Sequence, residues 1–208
     1  MNQPLLKQPE DFWAERQDIE VLTFSIEGET FAIEAARVQE ILDLLPETAV
    51  PGAKAFVSSV INFRGKVIPL ADIRLAFGMH AAEKTIDSRI IVIEISLEGE
   101  QTLVGLRTDK VYEVTTFSKS TSEPPPSVGM RWRPDYINCL IKRGSEFVIM
   151  PNLIAIFSAQ RESLPGKVSA QGNVVELAKA LIPRRRGGST VSRTPKGMSE
   201  TSVARRGA

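Results

Sequence analysis

Short runs of β-branched and aromatic residues, separated by glycine turns, restrict the fold of this 208-residue chain more than any other feature. The runs recur roughly every 8–12 residues, and only brief helical segments lie among them, which is typical of an all-β barrel or sandwich. They cluster before and after residues 78–87, which predicts two small barrels rather than one sheet. The runs span residues 20–27, 30–33, 59–71, 89–96, 101–107, 111–117, 136–141 and 146–150.

Residues 59–73 predict a β-hairpin whose tip carries one arginine. Val60–Phe63 and Val67–Leu70 are the apolar runs, and Arg64-Gly65-Lys66 joins them. Gly65 can take a positive φ without steric cost, so a tight turn fits there. An apolar hairpin that presents one fixed guanidinium suits a docking surface better than a reaction centre.

Four further segments carry specific local predictions. In residues 20–27, Leu22, Phe24 and Ile26 alternate with their neighbours and predict a strand with one apolar face. Residues 35–45 fit both helical and extended spacing, and we expect a helical turn at 35–38 followed by a strand from Glu40. Residues 72–78 predict a helical turn ended by glycine. Residues 152–157 predict a helix with an asparagine N-cap.

Composition places the chain among globular proteins, with 42% hydrophobic and 25% charged residues. No run of about 18 apolar residues occurs, so no transmembrane helix is expected. The N-terminus carries Glu10, Asp11 and Glu15 and has no apolar core, which argues against a secretory signal.

Charge is distributed unevenly along the chain. Residues 161–208 hold ten Lys or Arg and three Asp or Glu, a net +7, which leaves −6 for residues 1–160 of the total of +1. We expect a basic, mostly disordered tail over 160–208, because 184–208 has almost nothing apolar to bury. A candidate helix lies at 174–182. The basic clusters of the tail are explained either as a solvating extension or by attraction to an anionic membrane surface or acidic receptor.

Several catalytic chemistries are disfavoured by residue counts. Cys139 is the sole cysteine and His80 the sole histidine, so an internal disulfide is excluded and no metal-ligand spacing occurs. The unpaired cysteine fits a reducing cytosol. Nucleophilic catalysis needs an ordered base, and His80 stands alone in a predicted loop. The glycine-lysine pair at 65–66 does not precede a helix, unlike a phosphate-binding loop. We therefore expect no enzyme activity, cofactor or metal.

Five motifs follow one another within about residues 18–158 and resemble, in that order, those of the CheW family of chemotaxis coupling proteins. They are FSIEGETFAI at 24–33, VQEI at 38–41, VINFRGKVIPLADIR at 60–74, GLRTDKVYEV at 105–114, and Tyr136-Ile137 followed by FVIM at 147–150. The Asn-Phe-Arg-Gly element and the spacing of Asp109, Val111 and Val114 are fairly specific in combination.

The resemblance implies an all-β fold of two SH3-like five-stranded β-barrel subdomains with a few short helices and a groove between the barrels. We expect residues 1–17 to be an N-terminal lead-in segment with a short helix at 10–17. Residues 18–159 would form the CheW-like domain, with the boundary between its subdomains near residues 78–88. Residues 160–208 would be the basic tail.

The resemblance also implies a function without catalysis. Family members join the cytoplasmic tip of chemoreceptors to the regulatory domain of the histidine kinase CheA, so we expect a cytoplasmic adaptor recruited to membrane-associated arrays. No small-molecule substrate is expected. One alternative is the same module in a different chemosensory array, for surface motility or another output. Another alternative is a basic-tailed SH3-like barrel that binds nucleic acid. It is less favoured because the folded part of the chain is acidic.

The family's partner-binding positions can be carried over to this sequence. Val38 and Glu40 match its receptor-facing strand, Arg64 and Gly65 its hairpin tip, and we expect a Glu40–Arg64 ion pair that orients the guanidinium. Two further positions match partner-binding sites of the second barrel, Val111 and Val114. Ser59 and Cys139 stand where the family usually has glycine.

Overall fold

The computed structural model describes residues 12–80, 82–126 and 132–162, and strands dominate these ranges, which confirms the all-β prediction. The strands are β1 (Asp18–Ile26), β2 (Glu29–Glu34), β3 (Val38–Asp43), β4 (Thr48–Ala49), β5 (Ser59–Phe63), β6 (Lys66–Ala71), β7 (Arg89–Leu97), β8 (Glu100–Thr108), β9 (Lys110–Ser118), β10 (Ser122–Glu123), β11 (Ile137–Arg143) and β12 (Glu146–Pro151). Helix α1 (Leu153–Glu162), the helical residues Phe12 and Trp13, and short 3-10 turns at Ala35–Arg37, Ala55–Val57, Ile73–Phe77, Lys119–Thr121 and Pro134–Tyr136 complete the described part.

The strands form two curled sheets, and one sheet is inserted in the chain of the other. The terminal barrel has the order β10-β11-β12-β2-β1-β9, and the inserted barrel has the order β3-β7-β8-β6-β5-β4. Each contains five longer strands, as expected, and one strand of two residues, β10 or β4. The predicted boundary near residues 78–88 is wrong, because that segment connects β6 to β7 inside the inserted barrel. The chain crosses between barrels at residues 35–37 and at Asp109, where no long loop marks the change.

Both barrels have the same strand arrangement. From its two-residue strand, each sheet continues through an antiparallel hairpin, a parallel pair, a second antiparallel hairpin and an outer strand. The parallel pairs are β12 with β2 and β6 with β8. The outer strands are β9, paired with β1, and β3, paired with β7. The equivalent of β3 in the terminal barrel is therefore β9.

Three apolar clusters hold the barrels together. One fills the terminal barrel around Trp13, Val21 and Ile141, and another fills the inserted barrel around Ile61 and Ile90. A third, larger cluster lies between the barrels and takes residues from β1, β2, β7, β8 and α1. Burial of apolar surface is the dominant stabilising term of such layers.

Strand β1 lies between two of these clusters and is buried on both faces. Leu22, Phe24 and Ile26 face the central cluster, as the alternation predicted. Val21, Thr23 and Ser25 are also buried, so the expectation of a single apolar face is wrong. Thr23 is accommodated because its hydroxyl donates a 3.0 Å hydrogen bond to the Glu113 carbonyl oxygen.

The lead-in segment is packed against the terminal barrel. We expected a helix over residues 10–17. In the described part of this range, Phe12 and Trp13 are helical and a turn follows at Ala14, so the helix ends earlier than expected. Trp13 is buried and donates a 2.9 Å hydrogen bond from Nε1 to Ser122 Oγ. Residues 1–11 and 163–208, including the candidate helix at 174–182, lie outside the described residues. The expected tail start at residue 160 is wrong, because helix α1 extends to Glu162.

The two predicted helical segments after β6 and β12 form as expected. The 3-10 turn Ile73–Phe77 ends at Gly78, whose φ of 69° requires glycine in practice. Helix α1 starts after Asn152, whose Oδ1 accepts a 3.1 Å hydrogen bond from the Ala155 amide. Helix α1 packs on the inserted barrel through a 5.1 Å edge contact between the Phe157 and Phe56 rings.

Candidate functional site

The hairpin tip between β5 and β6 holds Arg64 in a constrained backbone conformation. Arg64 and Gly65 have φ of 51° and 81°, the two positive values of a type I′ turn. The Gly65 amide donates a 2.9 Å hydrogen bond to Asn62 Oδ1. A positive φ is energetically unfavourable for a residue such as arginine. Asparagine adopts it at a much lower energetic cost. The turn therefore carries Arg64 although other residues would suit its backbone better.

The Arg64 guanidinium is oriented by two neighbours. Arg64 Nη2 lies 2.5 Å from Glu40 Oε2, so the predicted ion pair is confirmed. The guanidinium also lies over the Phe63 ring, 5.2 Å from its centroid. The Arg64 side chain is nevertheless 73% exposed. An exposed pair of this kind contributes at most about 1 kcal/mol to stability, so its main effect is orientation.

Strand β3 has one extra residue directly before Glu40. The pairing of β3 with β7 shifts between Val38 and Glu40, which is the signature of a β-bulge. Strand β3 starts at Val38, two residues earlier than expected, and the preceding turn is 3-10. Val38 is half-buried against the central cluster. The structure thus brings Glu40 next to Arg64 in the hairpin turn, whereas Val38 packs against the cluster between the barrels.

Val111 and Val114 lie on β9, the outer strand of the terminal barrel. Val111 packs against the central cluster, whereas Val114 is 55% exposed, as is half of the Tyr112 side chain. These residues are therefore on a different barrel from Glu40 and Arg64. The described contacts do not join the two groups.

The terminal barrel repeats the arrangement around Glu40 and Arg64. The pairing of β9 with β1 also has one extra residue on the outer strand, between Val111 and Val114. Glu113 lies in this bulge, and its Oε1 is 3.1 Å from Nη2 of Arg143, at the β11–β12 turn. Each barrel thus joins a glutamate of its bulged outer strand to an arginine of its equivalent hairpin. The sequence reasoning missed the second pair, because the equivalence of β3 and β9 emerges only from the strand order.

A buried ion cluster near the barrel junction was also missed. Arg74 is 2% exposed, and its guanidinium contacts Asp72 Oδ1 at 2.9 Å and Asp109 Oδ1. Asp72 Oδ2 lies 3.8 Å from Arg107 Nη1. The motif at 60–74 includes Arg74, but a charged residue at a helical turn usually faces water. The sequence therefore contained no signal for its burial.

Glu47 forms a second group of polar contacts next to this cluster. It accepts hydrogen bonds from Lys84 Nζ at 2.8 Å, from Arg107 Nη2 at 2.5 Å and from Ser59 Oγ at 3.0 Å. Burial alone would raise the pKa of Glu47, but the hydrogen bond from Lys84, the charge of Arg107 and the bond from Ser59 outweigh it and lower that pKa. Ser59 is buried, so its hydroxyl has a defined structural partner.

The described ranges contain neither a candidate metal site nor a helix that could span a membrane. Over residues 12–80, 82–126 and 132–162, no three His, Cys, Asp or Glu side chains are grouped so that they could hold a metal ion. Cys139 is buried, and burial raises the pKa of its thiol despite contacts with Ser122 and Trp13. In the same ranges, no helix has the length and apolar character needed to cross a membrane.

Comparison with known proteins gives consistent matches. The sequence model described as CheW-like domain matches residues 20–161. The chain is 30% identical over 145 residues to the chemotaxis protein CheW of Rhizobium meliloti, covering 69% of this chain and 91% of the relative. It is 28% identical over 141 residues to a probable chemotaxis protein CheW of Rhizobium etli, covering 68% and 88%. The crystal structure of the scaffolding protein TtCheW from Thermoanaerobacter tengcongensis matches with a TM-score of 0.59 and 29% identity, covering 67% of this chain and 87% of that one.

Proposed function

The chain belongs to the CheW-like domain family, and we propose that it is a non-enzymatic adaptor that couples chemoreceptors to a CheA-type histidine kinase. It would work in the cytoplasm, recruited to membrane-associated receptor arrays, with no cofactor or small-molecule substrate. The basic tail would add a weak contact with anionic lipid, at about 1 kcal/mol for each basic residue near the surface.

The observation that carries this proposal is the oriented, exposed arginine of the inserted barrel. Glu40 and the Phe63 ring fix the Arg64 guanidinium in one direction, yet its donors remain largely accessible. A guanidinium presented in this way can form paired hydrogen bonds with a carboxylate or backbone carbonyls of a partner. We assign the receptor tip to this surface, which comprises Val38, Glu40, Arg64 and Gly65.

A second surface lies on the terminal barrel and comprises Val111, Val114 and the Glu113–Arg143 pair. Tyr112 and Val114 expose apolar area beside that pair, a combination common in protein interfaces. We assign the kinase regulatory domain to this surface. An adaptor must hold both partners at once, and two equivalent surfaces on separate barrels allow this.

The direct test measures binding of the full chain to a receptor cytoplasmic fragment and to the kinase regulatory domain, each titrated alone by calorimetry. The variant R64N removes the guanidinium and leaves Asn-Gly, the preferred pair for a type I′ turn. We expect weaker receptor binding by R64N and unchanged kinase binding.

A matched control is K66Q, which removes a neighbouring exposed positive charge from the same hairpin. We expect K66Q to bind the receptor fragment within about twofold of the wild-type affinity, because the exposed Lys66 charge is screened by salt and is not part of the Glu40–Arg64 pair. If wild-type protein binds neither fragment at tens of micromolar, the proposed function is wrong. Equal losses in R64N and K66Q would refute the assignment of Arg64.

A second candidate is the same module in a different chemosensory array. Ser59, which stands where the family resemblance leads us to expect glycine, favours this candidate. Its hydrogen bond to Glu47 joins β5 of the arginine hairpin to the β3–β4 connection. A panel of receptor fragments from chemotaxis arrays and from arrays for surface motility or other outputs separates the two candidates. Preference for a surface-motility or other-output receptor would support the second, and preference for a chemotaxis receptor would remove it.

A further inference from the structure

Asp109 occupies the point where the chain leaves the inserted barrel and enters the terminal barrel. It lies between β8 and β9 and forms an ion pair with Arg74, which follows β6 of the inserted barrel. The Arg74 guanidinium is 2% exposed, and the Asp109 side chain is 28% exposed. The pair therefore joins the two barrels in a mostly dry environment.

Asp109 is held to the terminal barrel by two backbone contacts. The Glu27 amide, in the β1–β2 turn, donates a 2.7 Å hydrogen bond to Asp109 Oδ2. The Asp109 amide donates a 3.0 Å hydrogen bond to the Ser25 carbonyl oxygen. Its carboxylate thus bonds one barrel through each oxygen: the terminal barrel through Oδ2 and the inserted barrel through Oδ1.

Arg74 is held to the inserted barrel in a similar way. Asp72 Oδ1 accepts hydrogen bonds from the Arg74 guanidinium at 2.9 Å and from the Arg74 amide at 3.2 Å. The cluster continues outward through Arg107 to Glu47 and Lys84, with the signs of the charges alternating. The guanidinium that faces Asp109 therefore has little freedom to follow a movement of the terminal barrel.

The apolar cluster between the barrels supplies attraction but little direction. Apolar burial is non-directional, so a small rotation of one barrel on the other changes it slowly. An arginine–carboxylate pair depends on the positions of particular atoms. Separating its charges in a dry interior leaves each without compensation, which is strongly unfavourable. The Arg74–Asp109 pair is thus more sensitive to the relative orientation of the barrels than the apolar cluster is.

We infer that Asp109 is a positioning residue that fixes the orientation of the two barrels and, through it, the spacing of the two partner surfaces. The part concerning partners rests on the proposed function. The orientation of the barrels does not, and it can be measured without any partner.

The experiment compares D109N with D72N in the full chain. Each variant removes one carboxylate charge facing Arg74, but Asp109 bonds across the barrels whereas Asp72 bonds within one. Nitroxide labels at Q101C in the inserted barrel and K142C in the terminal barrel report the distance between barrels by double electron–electron resonance. Both positions are exposed. Cys139 stays unlabelled because it is buried.

We expect D109N to broaden or shift the distance distribution, and D72N to broaden it less, because Arg74 then still faces the Asp109 carboxylate. A wild-type distribution in D109N, or equal broadening in D72N, would overturn the inference. If D109N does not fold, D109E replaces it, since its longer side chain keeps the charge and displaces the carboxylate. A wild-type distribution in D109E would then overturn the inference.

A binding readout tests the link to coupling. We expect D109N to bind each partner alone with wild-type affinity, and to bind the kinase domain about fivefold or more weakly when the receptor fragment is already bound, a coupling typical of linked sites. If receptor-bound D109N binds the kinase domain with the same affinity as receptor-bound wild type, this link is wrong. If wild-type protein binds neither partner, the proposed function and this link fail together, while the distances still decide whether Asp109 positions the barrels.

Discussion

Arg64 and Arg74 belong to the same sequence motif but lie in opposite environments. The Arg64 side chain is 73% exposed and pairs with Glu40, whereas Arg74 is 2% exposed and pairs with Asp72 and Asp109. The first guanidinium keeps donors available for a partner. The second uses its donors to hold the protein together. Burial, rather than residue type or proximity in sequence, separates the arginine that we propose for docking from the structural one.

The largest effect that this comparison predicts comes from R74M. Methionine fills much of the volume but leaves the Asp109 carboxylate without its cation and the buried Asp72 carboxylate with Arg107 alone. We expect the free energy of unfolding to fall by about 3–5 kcal/mol, measured by urea denaturation. The matched control R64M should lose less than about 1 kcal/mol. Similar losses in the two variants would break the distinction.

The variant E47Q should destabilise the protein in a pH-dependent manner. The pKa of Glu47 in the folded state lies below its ordinary value of 4.5, so its charge stabilises the fold fully above that pH. That stabilisation is lost as the pH falls through the lowered pKa. We therefore expect wild type to exceed E47Q in stability at neutral pH and the difference to shrink in acid. A difference independent of pH, in denaturation curves across this range, would contradict the account.

Replacing Ser59 by alanine should have a smaller effect. The substitution removes one hydrogen bond to the Glu47 carboxylate and should cost about 1–2 kcal/mol, since bonds to charged groups exceed neutral ones. The exposed Ser145 of the β11–β12 turn provides the control S145A, which should leave the urea midpoint unchanged. No difference between S59A and S145A would mean that the Ser59 hydroxyl has no role in stability.

The smallest stability change is expected for R64N. Loss of the exposed ion pair with Glu40 costs at most about 1 kcal/mol, and asparagine at a positive φ offsets part of that loss. The thermal midpoint should therefore stay close to that of the wild type. A large decrease would show that Arg64 is structural and would remove the contrast with Arg74.

The sequence predicted those parts of the molecule that depend on local pattern. Strand runs, the Arg64-Gly65 turn and the Asn152 N-cap follow from short-range rules, and the Glu40–Arg64 pair followed from the family resemblance. The insertion of one barrel into the chain of the other was not predictable, because the residue pattern of a strand does not indicate which sheet the strand joins. The burial of Arg74 and the Glu113–Arg143 pair depend on tertiary contacts between distant segments, which residue spacing does not encode.

The most direct test of the central claim asks whether one chain binds both partners at once. Sedimentation velocity of the full chain mixed with receptor fragment and kinase regulatory domain would show this. We predict one species containing all three proteins, which R64N depletes of receptor and which R143N, a variant of the arginine in the other barrel's ion pair, depletes of kinase. Mutually exclusive binding of the two partners, or loss of the same partner in both variants, would contradict the account.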